Sequence, residues 1–163
     1  MAAAGIVNAR WTNQILDECF AAILRQRPDL RLEALARTRA LMIQAIPDCI
    51  VEDYQVLINE IVLPDPDDRH VLAAAITCRA RCIVTMNLRD FPPHVLEKYA
   101  IRARHPDDII CDAIRTHPET MMKTVIEQAA ALTHPEITLS QLLDTLETCG
   151  LSASAKLFRQ LTS

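Results

Sequence analysis

Residues 63–93 read LPDPDDRHVLAAAITCRARCIVTMNLRDFPP, and the fold is decided here. Asp65 followed by Pro66 and two further acids is a helix start: a capping oxygen, a proline at the first helical position, and negative charge in the first turn, where the macrodipole favours it. The spacing predicts a helix running to about Arg81. Cys82-Ile83-Val84-Thr85-Met86 is short, apolar and β-branched, as a buried strand is. Residues 87–93 carry Asn, Asp and two prolines and read as a loop. Helix, buried strand and loop in that order are one half of a parallel α/β arrangement.

The acids in this stretch differ in how far capping accounts for them. It accounts for Asp65 fully and for Asp67 well. Asp68 lies at helical spacing over Leu72, Ala75 and Ile76, on the face that must pack against the sheet. An acid there is either paired or holds a metal. Asp90 follows the strand, and ligands of open α/β sheets bind beyond the carboxyl ends of the strands. That puts Asn87 and Asp90 at a site edge, although both residue types also favour turns. Thr85 ends the strand with a hydroxyl able to orient a carboxylate, or is simply a good strand residue.

Upstream, Thr12 caps an amphipathic helix over 13–27 with Ile15, Leu16, Cys19, Ala22 and Ile23 as its buried stripe. Glu18 sits at the stripe's edge. A second helix spans about Leu30 to Ile46, with Leu35, Thr38, Leu41, Met42 and Ala45 on one side. Residues 48–52 (DCIVE) form a candidate strand, and a short helical stretch covers 54–62. Downstream, a helix over 94–99, a strand over 100–104 and a helix over 106–115 complete the α/β pattern. Past Arg115 the texture is purely helical, with segments at 118–132, 139–149 and 152–161. Thr116–Glu119 and Thr138–Gln141 have capping-box spacing, and Gly150 is a natural residue just past a helix end. The expected organisation is an α/β domain over 1–115 and a three-helix extension over 116–163.

Composition narrows the chemistry. The chain has 163 residues and a net charge of −4, which argues against retention on nucleic acid by bulk positive charge. The two glycines stand alone, so neither a P-loop nor a dinucleotide fingerprint can be built. The basic residues are almost all Arg, whose planar fork suits phosphate oxygens. Arg69 and Arg89 flank two of the acids, where they could grip phosphates or form salt bridges to the aspartates. The six cysteines are scattered, none in CxxC spacing, and read as reduced, mostly buried thiols of a cytoplasmic protein. No apolar run is long enough for a membrane span.

DPDDRHVLAAAI (65–76) followed by CIVTMNLRDFP (82–92) resembles the third and fourth acidic regions of the PIN-domain family, in particular the VapC-like toxins. WTNQILDECF (11–20) is similar to the family's second-acid helix, with Glu18 at the acidic position. The resemblance covers about residues 5–110. It implies a three-layer α/β PIN-like domain with a parallel sheet, and a Mg²⁺- or Mn²⁺-dependent endoribonuclease acting on RNA and inhibited by a cognate antitoxin protein. It also implies Glu18, Asp68 and Asp90 as metal-site acids, with Asn87 and Thr85 as supporting groups. A homodimer is a further possible partner arrangement.

The family's first acid lies on a first strand of the form apolar-Asp-x-Asn, and residues 1–11 (MAAAGIVNARW) contain no such segment. The expectation is therefore a PIN-like domain whose first strand is missing. A late start codon, a truncated remnant or a partner filling the gap would each account for that. The corresponding alternative function is a catalytically inactive fragment that acts only as a binding module for an antitoxin or for its own copy.

Overall fold

The computed structural model describes residues 1–132 and 136–162. The helix start at Asp65 forms as its chemistry dictates: Asp65 Oδ1 accepts the Asp67 amide at 2.9 Å, and Pro66 opens a 3₁₀ turn over Pro66–Asp68. This turn runs into α4 (Arg69–Thr77). The Leu72, Ala73, Ala74 and Ala75 side chains of α4 are all buried, and three alanines in a row let the helix sit close to its neighbours.

α4 ends at Thr77, earlier than the expected Arg81. Arg79 adopts a left-handed conformation (φ 54°), and two reverse bonds close the helix: Ala80 N–H to Ala75 C=O at 2.8 Å and Arg79 N–H to Ile76 C=O at 3.0 Å. This is a Schellman ending with arginine where glycine is usual. Cys78 and Cys82 therefore do not share a helix.

β1 (Cys82–Val84) and β2 (Arg102–Arg104) pair in parallel, Cys82 opposite Arg102, Ile83 opposite Ala103 and Val84 opposite Arg104. Both are shorter than expected, β2 because Ala100 before it is left-handed. Ile83 is buried and Ala103 packs on the same core, whereas Val84 on the other face is exposed. The connection between the strands contains α5 (Pro93–Leu96). The expected strand at 48–52 is a single parallel bridge, Trp11 to Ile50, because Asp48 and Asp53 on either side are left-handed and turn the chain out of extended geometry. The fold is thus mixed α/β with a parallel, two-stranded sheet among the described residues. Its core gathers Val51, Tyr54, Ile61 and Leu63 around α3 (Gln55–Ile58), the buried residues of α4, Phe91, Leu96 and Ile101.

α1 (Asn13–Gln26) starts on Thr12, a fully buried residue whose Oγ1 accepts the Ile15 amide at 3.0 Å. Leu16 is its buried residue; Cys19, expected in the stripe, is exposed. α2 (Leu32–Ala45) starts two residues later than expected and buries no side chain, with Leu41 of the expected face 53% exposed. It is tied to α1 by polar contacts instead, Arg39 bonding Asp17 and, at 2.9 Å, the Asn13 Oδ1.

α6 (Pro106–Thr116), α7 (Pro118–Ala131), α8 (Leu139–Thr148) and α9 (Ser152–Leu161) surround a second core of Ala113, Ile114, Met121, Val125, Ala129, Leu142, Leu143 and Phe158. α6 thus buries its face with the helices that follow it. Met1 and Ile6 also pack on this cluster, so the chain's first residues lie against the helical part. The Thr138–Gln141 capping box is present in both directions. The expected box at Thr116 is not: Thr116 is the last residue of α6 and its hydroxyl donates to Asp112 C=O at 2.8 Å, leaving α7 to start at Pro118 without a side-chain cap. Gly150 is left-handed (φ 84°) and ends α8 as expected. All six cysteines are free thiols; Cys49 and Cys111 are buried, but Cys19 and Cys149 are exposed, which corrects the expectation that most are buried. Among the described residues, no helix is long and apolar enough to cross a membrane.

Candidate metal centre

Three carboxylates converge where α4 begins and β1 ends. Asp65 and Asp68 come from the turn before α4, and Asp90 from the 3₁₀ turn Leu88–Asp90 after β1. One oxygen of each lies within 4.8 Å of the others. A 3₁₀ turn has three residues per turn, so positions three apart eclipse, and this brings Asp65 and Asp68 to one side. Asp65 is therefore both the helix cap and a member of the acid cluster. Capping alone accounts for Asp65 in the sequence; the i, i+3 spacing of two acids around Pro66 is the signal for its second role.

Like charges at this range oppose one another's ionisation. Partial burial pushes the Asp68 carboxyl above the ordinary carboxylate range, and the charges of Asp90 and Asp65 push it the same way. Glu18 adds to this rise and His70 opposes it. A divalent cation among the three would relieve that repulsion, and an all-carboxylate set of hard oxygen donors suits Mg²⁺ or Mn²⁺.

The loop carrying Asp90 is anchored residue by residue. The Thr85 amide donates to Arg104 C=O at 3.0 Å, fixing the end of β1 to β2. The Asn87 amide donates to Thr85 Oγ1 at 3.0 Å, and Asn87 Nδ2 in turn donates to Asp90 Oδ2. Thr85 and Asn87 thus reach the cluster through Asp90.

Glu18 does not join the three aspartates, although its charge acts on Asp68. Its Oε2 lies 3.2 Å from His70 Nε2, and its Oε1 accepts from Gln14 Nε2 at 3.1 Å. Neither His70 nor Gln14 stands out in the sequence, because the Glu18–His70 contact joins residues of α1 and α4 that are 52 positions apart. Arg69 and Arg89 form no salt bridge with the flanking aspartates among the described residues, and the Arg69 Nε is buried without a hydrogen-bond partner.

Residues 1–89, more than half of the chain, match the family model described as PIN domain. Residues 106–160 match the model described as VapC50 C-terminal domain. A curated relative from Mycobacterium tuberculosis (strain ATCC 25618 / H37Rv), named "Putative ribonuclease VapC50", is 43% identical over 79 residues, which cover 48% of this chain and 47% of the relative. The chain thus spans about half the length of that relative in the match. No solved structure matches the chain.

Proposed function

Because the chain belongs to the PIN-domain family, we propose that it is a metal-dependent endoribonuclease of the VapC toxin type, cytoplasmic and controlled by a cognate antitoxin protein. The observation that carries this reading is the convergence of the Asp65, Asp68 and Asp90 carboxylates within 4.8 Å. Asp68 and Asp90 are the proposed metal ligands, Asp65 is added to them by its position, and Glu18 stands beside them. A bound Mg²⁺ or Mn²⁺ would neutralise charge on the scissile phosphate and make water a better nucleophile near neutral pH.

The chain's own residues supply placement. Asn87 orients the Asp90 carboxylate, and Thr85 fixes Asn87 to the end of the sheet. Arg69 and Arg89, which make no ion pair with the aspartates among the described residues, are the proposed contacts to neighbouring phosphates of an RNA strand. Leu32, Leu41, Val56 and Val62 are exposed apolar side chains outside the two cores.

Cleavage of single-stranded RNA in Mg²⁺ or Mn²⁺ tests the reading. The expected result is cleavage that stops in EDTA and falls by at least about 100-fold in Asp68→Ala and in Asp90→Ala, the scale set by loss of several kcal/mol of charge stabilisation. Cleavage that persists in EDTA, or in both variants, overturns the reading. Intact folding and metal binding with no cleavage would favour a binding module instead.

A further inference from the structure

His70 is the buried polar residue that the acid cluster leaves unaccounted for. It is the second residue of α4, its side chain is only 4% exposed, and its Nδ1 is buried with no hydrogen-bond partner. Its other nitrogen, Nε2, lies 3.2 Å from Glu18 Oε2. A carboxylate oxygen only accepts, so Nε2 carries the hydrogen at this contact, and Nδ1 is left without a partner. Burying an imidazole with one nitrogen unsatisfied costs free energy. The bond made in return goes to a glutamate whose side chain is 56% exposed.

An exposed glutamate ordinarily samples several rotamers. Glu18 is held at both oxygens, by His70 from α4 and by Gln14 one turn earlier in α1. The grip leaves it outside the set of Asp65, Asp68 and Asp90, yet close enough for its charge to act on Asp68. We infer that His70 is a positioning residue: it fixes Glu18 as an outer carboxylate alongside the three aspartates rather than as one of them. The inference rests on reading that cluster as a divalent-cation site, and it assigns His70 no contact with cation or substrate.

The test uses the full chain and Mn²⁺ alone, with affinity measured by calorimetry, and the imidazole nitrogens observed by ¹⁵N NMR without metal. His70→Phe is expected to weaken Mn²⁺ binding about 10-fold, the lower end of outer-shell effects. His70→Gln, which keeps an N–H donor near the position of Nε2, recovers most of that loss. In a Glu18→Ala background His70→Phe has almost no further effect, because it acts through Glu18. Without metal, the Nε2 of the His70 ring is expected to carry its hydrogen toward Glu18, a preference that is lost in Glu18→Ala.

Two results overturn the inference alone: an equal His70→Phe loss with and without Glu18, or a tautomer indifferent to Glu18→Ala. Mn²⁺ binding that is absent, or unaffected by Asp68→Asn, overturns the cation reading of the cluster and the role of His70 toward it together. The tautomer measurement then still decides whether His70 and Glu18 are coupled.

Discussion

The helical part and the acid-bearing end of the α/β part close their polar groups in different ways. In α6–α9, charged side chains are spent on neighbouring helix ends. Asp107 in the first turn of α6 accepts the Ala153 and Ser154 amides at 2.9 and 2.8 Å and bonds the Ser154 hydroxyl, so it caps α9 from another helix. Arg159 in α9 bridges Asp144 and Glu147 of α8 at 2.7 and 2.8 Å. Among the described residues, the buried side-chain polar atoms without a partner, Trp11 Nε1, Arg69 Nε and His70 Nδ1, all lie in the α/β part, two of them in the first turn of α4. Among the described residues the helical part leaves no buried side-chain polar atom without a partner, whereas the other end holds like charges together and leaves such atoms unspent. Sites that handle ligands are where such imbalance is tolerated.

The contrast is broken or sharpened first by truncating apolar side chains. Phe158 is almost fully buried in the helical core, so Phe158→Ala is expected to cost about 3–5 kcal/mol. Leu41→Ala in the exposed face of α2 is expected to change stability by no more than about 0.5 kcal/mol. Chemical denaturation of both variants checks the pair. A large loss from Leu41→Ala would mean that α2 is packed in solution against something its present exposure does not include.

Asp107→Asn is the next largest effect. Asn keeps an acceptor for the Ser154 groups but turns an amide N–H toward the Ala153 amide, so one charge-assisted bond becomes a donor facing a donor. The expected loss is about 1.5–3 kcal/mol, the range for hydrogen bonds to charged groups. It should appear as an earlier thermal transition, with the PIN-matching part's metal affinity unchanged.

Features settled within a few residues were legible beforehand. The Asp65 cap, the Thr138–Gln141 box and the glycine after α8 each depend on neighbours in sequence and stand where expected. What failed locally failed because a second group competed. The Thr116 hydroxyl is taken by the α6 carbonyls before it can cap α7, and Arg79 takes the left-handed turn that usually needs glycine. The long-range features were out of reach. Nothing in the periodicity of α1 shows that Glu18 meets His70, and no motif links Asp107 to Ser154. Of the acids expected at the site, Asp68 and Asp90 meet, with Asn87 and Thr85 behind Asp90. Glu18 stands aside, and Asp65 takes the place that its capping role had concealed.

The smallest effects carry the sharpest test, because two aspartates should respond to pH with opposite sign. Burial pushes the Asp107 carboxyl up, but the hydrogen bonds from Ser154 and Ala153 outweigh it and hold it below the ordinary range. Its contribution is therefore present above the unfolded-state value, about 3.9, and is lost as pH falls through the lower folded value. Asp68 is raised by burial and by Asp90 and Asp65, so its ionised form weighs against the fold at neutral pH, and that penalty disappears below about pH 3.9. Asp68→Asn should accordingly raise the melting temperature slightly at pH 7, with the gain shrinking toward acid pH, while the loss from Asp107→Asn also shrinks there. Mn²⁺ should raise the melting temperature of the unaltered chain more than that of Asp68→Asn, since a cation bound only by the folded state adds stability by mass action. A destabilising Asp68→Asn at neutral pH would mean that the carboxylates at the start of α4 are already compensated, and the difference between the two ends of the molecule would then lie in packing alone.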